Sequence, residues 1–311
     1  MISCTEFIPA YSELFAFLDE KYGRDEVERY WEFLFNPDGG RMPLTEMVEK
    51  EGIRGCYTYW SGTLNEEAAD FTMYLNEEKG WFMIAMHRCP SKGKLLDMQD
   101  AYGITPYHDY CLHCDHYRES VEAGGLKYIY NFAGVDHAAC NILIYDPKVF
   151  DGRVIVDENT KVMDRRAGDN EYFHMDFHNG MNSGMFYLVE KYGEAVVKEY
   201  LSRYAKNVHN KLIESIKKDG LKSLEEDIRN TYKKEKAEDA LEIACDGKSL
   251  DVKIAYCPAV KHFKRKGIEV SPMYRYTTET VMGTIAENAG LSFEMLDYEH
   301  ETGAAHYRFE K

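Results

Sequence analysis

No stretch of this 311-residue chain comes near 18 consecutive apolar residues, so no membrane span is expected. Nor does a basic segment lead into an apolar run, the mark of an export signal. Basic residues are scarce: 38 lysines and arginines stand against 54 aspartates and glutamates, a formal net charge of −16. Such a surface repels phosphate backbones and excludes nucleic acid as the expected partner. Cysteine is sparse too, eight in 311 residues, too few for a disulfide-held scaffold of this length. Without an export signal these thiols are expected to be reduced, as core residues or metal ligands. A nucleophile elbow is missing, as is the strand and proline context of a thioredoxin-like redox motif. What remains is a cytoplasmic globular protein, its core drawn from a 44% apolar composition that includes 24 tyrosines.

Against these absences stands a repeat of long period. "RCPS" around Cys89 recurs as "YCPA" around Cys257, and Gly52 in "KEGIRG" recurs as Gly220 in "KDGLKS". "EKYG" ending at Gly23 recurs ending at Gly193, and "ITPYHDY" around Pro106 matches "VSPMYRY" around Pro272. "AAC" ending at Cys140 matches "AAH" ending at His306. Five anchors in one order imply two homologous halves, residues 1–148 and 170–311, joined by a polar linker at 149–169 with a candidate hairpin. Each half starts with an amphipathic helix that stops at a glycine, "YSELFAFLDEKYG" or "GMFYLVEKYG", and continues into a second helix. Period-two alternation then marks strands at Phe82, Ile84 and Met86 and at Leu250, Val252 and Ile254. A further helix is expected from Pro106 or Pro272, then a closing hairpin. The fold class is therefore α+β: helices packed on a small antiparallel sheet in the order α-α-β-β-α-β-β, twice, related by pseudo-twofold symmetry.

A duplication separates what packing needs from what one copy holds alone. Cys89 and Cys257 occur in both halves and read as structural. "PYHDYCLHCDHYRES" does not recur: His108 meets Tyr274, Cys111 meets Thr277, Cys114 meets Thr280 and His137 meets Gly303. Cys111-x-x-Cys114 with His137-x-x-Cys140 has the ligand types of a zinc site, although residues three apart on a strand face opposite sides. On an α-helical wheel Cys114 falls on the core stripe, where it is also a small buried hydrophobe, and Cys111, His108 and Asp115 border it. His113 and His116 point elsewhere and are expected in solvent. The second half has its own stripe, Glu171, His174, His178 and Asn182, suited to ligating a metal or to pairing an acid with a base, or else to a polar interface. Both clusters are expected to meet in one pocket between the halves.

"DYCLHCDHYRESVEAGGLKYIYNFAGVDHAACNILI" and "YRYTTETVMGTIAENAGLSFEML" followed by "GAAHYRFEK" resemble the C-terminal signature of the bacterial L-2-amino-thiazoline-4-carboxylic acid hydrolase family. The architecture is similar to that of 4-vinyl reductase-like ligand-binding domains. The resemblance covers roughly 50 residues of each half and implies hydrolysis of a C–N or C–S bond in a small heterocycle or amide. Cys111, Cys114, Asp115 and Cys140 match its pattern, and the second half lacks those cysteines. The expected function is thus a small-molecule hydrolase. In a metal route, a divalent ion (zinc first, then iron or manganese) is held by residues among Cys111, Cys114, His174, His178, His137 and Cys140, with Asp115 or Glu171 as general base. In a thiol route, Cys111 is the nucleophile with His108 beside it. The alternatives are a non-catalytic protein that binds a small molecule, metal or cofactor, and a Cys111–Cys114 redox pair. The expected partner is a small molecule, with a homodimer as the candidate assembly.

Overall fold

A computed structural model of the chain describes residues 1–35, 42–166 and 173–311. In chain order its elements are α1 (Phe7–Tyr22), α2 (Arg24–Phe35), α3 (Pro43–Glu51), α4 (Ile53–Glu66), β1 (Asp70–Asn76), β2 (Trp81–Arg88), α5 (Pro90–Tyr102), α6 (Tyr117–Ala123), β3 (Lys127–Asn131), β4 (Cys140–Tyr145) and β5 (Lys161–Arg166). They continue with α7 (Phe177–Tyr192), α8 (Glu194–Val208), α9 (Asn210–Asp219), α10 (Leu221–Lys234), β6 (Leu241–Cys245), β7 (Ser249–Ile254), α11 (Pro258–Lys266), α12 (Tyr276–Ala289), β8 (Ser292–Tyr298) and β9 (Ala305–Glu310). The α+β class is as the sequence implied.

The chain divides into two compact units, one of Tyr22–Asp100 and Pro106–His174, the other of Met1–Lys21, Ala101–Thr105 and Met175–Lys311. The opening helix therefore groups with the C-terminal unit. Part of the expected linker, β5, is an edge strand of the first unit's sheet.

Each unit holds one antiparallel sheet, of order β3-β4-β2-β1-β5 in the first and β6-β7-β9-β8 in the second. In the first unit the alternation of β2 buries Phe82, Ile84 and Met86 beneath α4, against Leu44, Val48, Cys56 and Trp60. In the second, Leu250, Val252 and Ile254 are buried in the same alternation. Among the described residues four helices, rather than two, precede each first strand pair, and a glycine makes the last of these breaks. Gly52 (φ +58°) separates α3 from α4 and Gly220 (φ +75°) separates α9 from α10. That left-handed backbone is one that a residue with a Cβ avoids. Cys89 and Cys257 each precede the proline that opens a helix, α5 or α11, and Cys257 is the N-cap of α11.

Two local expectations change. No helix starts at Pro106: the segment Tyr110–His116 is a 3-10 turn, and α6 follows from Tyr117. The stripe of the second half is broken as well, since α7 starts only at Phe177. His174 precedes that helix, and Glu171 lies outside the described residues. In the ladders Cys140 stands opposite Met86 and Ala305 stands opposite Ile254.

Candidate functional site

In the first unit the 3-10 conformation decides where the thiols point. At three residues per turn, side chains at i and i+3 eclipse, which an α-helix would offset. Cys111 and Cys114 therefore share a face, and that face turns toward Cys140 at the start of β4 and Cys89 ahead of α5. The four cysteines line one cavity of about 40 Å³ together with Ser91, Lys92, Tyr110, His113 and Tyr130. This space suits a few waters or an ion and is too small for a heterocycle. The turn is pinned from outside. Tyr128 donates its hydroxyl to the Cys114 carbonyl at 3.0 Å, and Arg24 Nε holds Asp109 at 3.1 Å.

The cavity keeps its thiols protonated. Burial pushes Cys89 up to about 12 and Cys111 up to about 11, Lys92 partly offsetting the latter, and raises Cys114 and Cys140. The Tyr130 hydroxyl hydrogen-bonds toward the Cys114 and Cys140 sulfurs and opposes part of that rise. Thiolates here need a cation to displace their protons. No disulfide joins any of the eight cysteines, all of which are described.

Several expected partners lie elsewhere. His108 is exposed and sits 3.5 Å from Asp109, away from the cavity. Asp115 pairs with Arg118 at 2.6 Å and faces a separate surface groove with Leu112, His116 and Glu119. His137 ends a short 3-10 turn before β4 and does not line the cavity. His113 and His116, expected in solvent, are turned inward by the tight turn. His113 packs on Trp31 and Tyr110, and burial pushes it down to about 4. His116 stacks on Phe35 and lies 3.3 Å from Glu28.

His174 belongs to the first unit and His178 to the second, and each has its own carboxylate. His174 Nδ1 donates to Glu66 at 2.6 Å, with Glu67 4.0 Å from Nε2. Burial, helped by the charge of Glu66, pushes Glu67 up to about 8. His178, 1% exposed on α7, puts Nε2 3.0 Å from Glu235 Oε2. Burial alone would raise Glu235, but hydrogen bonds from His178, Ser3 and the Cys4 N–H hold it down at about 2. The donor atoms of Cys4, His178 and Glu235 all lie within 4.8 Å of one another, a buried group able to hold a metal ion. It is the only such group among the described residues, so the four cage sulfurs would have to draw together around an ion. Asn182, fourth in the expected stripe, ties Glu269 O at 2.8 Å and Ser271 N at 2.9 Å and so holds the backbone leading to α12.

Sequence reasoning missed Cys89, Tyr130, Cys4, Glu235, Glu66 and Glu67. Cys89 reads as structural in the sequence because Cys257 repeats it. Nothing local marks Cys4 or Glu235, whose partners are remote in sequence. No protein-family model, no curated protein and no solved structure matches this chain.

Proposed function

We propose that the first unit binds a zinc-class cation through Cys89, Cys111, Cys114 and Cys140, and that the chain is a metal-bearing small-molecule-binding protein of the 4-vinyl reductase-like type. The carrying observation is the convergence of four thiols from three chain segments on one small cavity. Thiolate donors favour zinc among common divalent ions, and four of them give a closed tetrahedral site of the structural kind. A closed site leaves no position for an attacking water, which separates this reading from metal-dependent hydrolysis at these cysteines. The two units descend in this proposal from one duplicated module. The shared succession β1-β2-β4-β3 and β6-β7-β9-β8 supports that origin.

A hydrolase of a small heterocycle or amide, as the family resemblance implies, is the second reading. Glu67 favours it: a carboxyl held neutral near pH 7, beside an ionisable neighbour and an imidazole, is suited to general acid catalysis. Metal analysis of the purified chain, followed by turnover assays on 2-aminothiazoline-type carboxylates, separates the two. The first reading expects one equivalent of zinc that is lost in Cys111→Ser and no turnover; metal-free protein in zinc-supplemented expression would refute it. Turnover abolished by Glu67→Gln and unaffected by Cys111→Ser would establish the second.

A further inference from the structure

Glu235 is a buried carboxyl group inside the second unit. Ser3 Oγ and the Cys4 N–H donate to its Oε1, both at 2.6 Å, and His178 Nε2 stands 3.0 Å from Oε2. A buried carboxylate is costly without a compensating charge. Beside it lies the sulfur of Cys4, a residue 1% exposed. A thiolate, a carboxylate and a neutral imidazole around a divalent ion form a charge-neutral set. Sulfur, nitrogen and oxygen are also the donors zinc accepts, at bonds of about 2.0–2.3 Å. Tetrahedral bonds of that length separate the donor atoms by roughly 3.3–3.8 Å. The group, already within 4.8 Å throughout, needs only small side-chain movements to reach that spacing.

The same unit holds another buried polar group. Tyr274, 2% exposed, has a hydroxyl with no hydrogen-bond partner among the described residues. Tyr274 lines a cavity of about 10 Å³ with Met1, Tyr232 and Cys257, roughly the volume of one water.

We infer that Cys4, His178 and Glu235 form a second zinc-class site, with a water in the fourth position. The site joins the segment ahead of α1, the helix α7 and the end of α10. It uses no residue of the thiol cage and does not rest on that reading. Three protein ligands and one water differ from the closed four-thiol cage in a way that spectroscopy resolves.

The test is cobalt(II) binding to the full-length chain carrying Cys111→Ser and Cys114→Ser. One cobalt per chain is expected, with the charge-transfer band of a single thiolate and the visible bands of a four-coordinate ion. Adding Cys4→Ser should remove the charge-transfer band, and adding His178→Gln should weaken binding at least tenfold. No cobalt bound by the cage-deficient chain with a native circular-dichroism spectrum would overturn the inference, as would binding indifferent to Cys4→Ser. Should those added variants fold poorly, zinc must still raise the unfolding temperature of the cage-deficient chain, reversibly with chelator; no rise refutes the site. In the unsubstituted chain two zinc ions are expected. A single ion that follows Cys111 and not Cys4 sinks this site alone, and one that follows Cys4 and not Cys111 sinks the cage alone.

Discussion

The Tyr128 hydroxyl donates to the Cys114 carbonyl at 3.0 Å, across fourteen residues of chain, and so fixes the thiol-bearing turn to strand β3. Tyr128 is itself buried in the core of the first unit, so the bond is partly shielded from water. Tyr128→Phe should lower stability by about 1 kcal/mol, the usual net worth of such a bond. It should also weaken zinc binding, since the turn would hold Cys111 and Cys114 less firmly. Urea unfolding with a parallel zinc competition measures both; an unchanged midpoint would mean that the turn is held by its packing alone.

Thiol accessibility divides the cysteines. Cys245 is exposed, Cys4, Cys56 and Cys257 are buried, and the four cage thiols are in between. A disulfide reagent on the native protein should modify Cys245 first. Zinc should then slow the cage thiols selectively, because a metal-bound thiolate is withheld from exchange. Peptide mapping after timed quenching reads the order, and equal rates with and without zinc would count against the cage.

Glu67 sets a pH dependence. Its folded value of about 8 lies above the ordinary 4.5, so the folded state favours the protonated carboxyl. The stability this contributes is fully present below about 4.5 and is lost as pH rises through about 8. Glu67→Gln should flatten that part of the stability profile and stabilise the protein at pH 8 relative to the parent. Thermal melts from pH 5 to pH 9 test it, and parallel profiles for both proteins would refute it.

The α3–α4 contact depends on a missing side chain. A Cβ at Gly55 would sit 2.3 Å from the Met47 carbonyl oxygen, and backbone cannot step aside as a flexible side chain can. Gly55→Ala should destabilise the first unit by about 3 kcal/mol, the upper end of the overpacking range. Gly62, on the same helix with nothing within 4 Å, is the control: Gly62→Ala should be neutral or stabilising. Chemical denaturation of the two variants decides it.

Much of the fold was legible because its signals are local. Alternation at Phe82, Ile84 and Met86 marks a half-buried strand whatever surrounds it, and the glycines after Tyr22 and Tyr192 end helices by backbone sterics alone. The site was legible only in part. Cys111, Cys114 and Cys140 do converge, but reading their segment on an α-helical wheel put Cys111 beside the stripe of Cys114 rather than on it and sent His113 and His116 to solvent. A 3-10 turn reverses both assignments, and what selects that turn lies in Tyr128 and Arg24, outside the segment.

The amino-acid sequence by itself determined the α+β composition, the strand faces, the helix stops and the acidic surface, since each follows from residue types a few positions apart. Tertiary structure alone decided the company each reactive group keeps. Cys89 joins a thiol cage, His174 takes Glu66, and His178 meets Glu235 and Cys4. Those partners stand tens to hundreds of residues apart in the chain, where no periodicity reaches, and only the closing of strands and helices around a core brings them together.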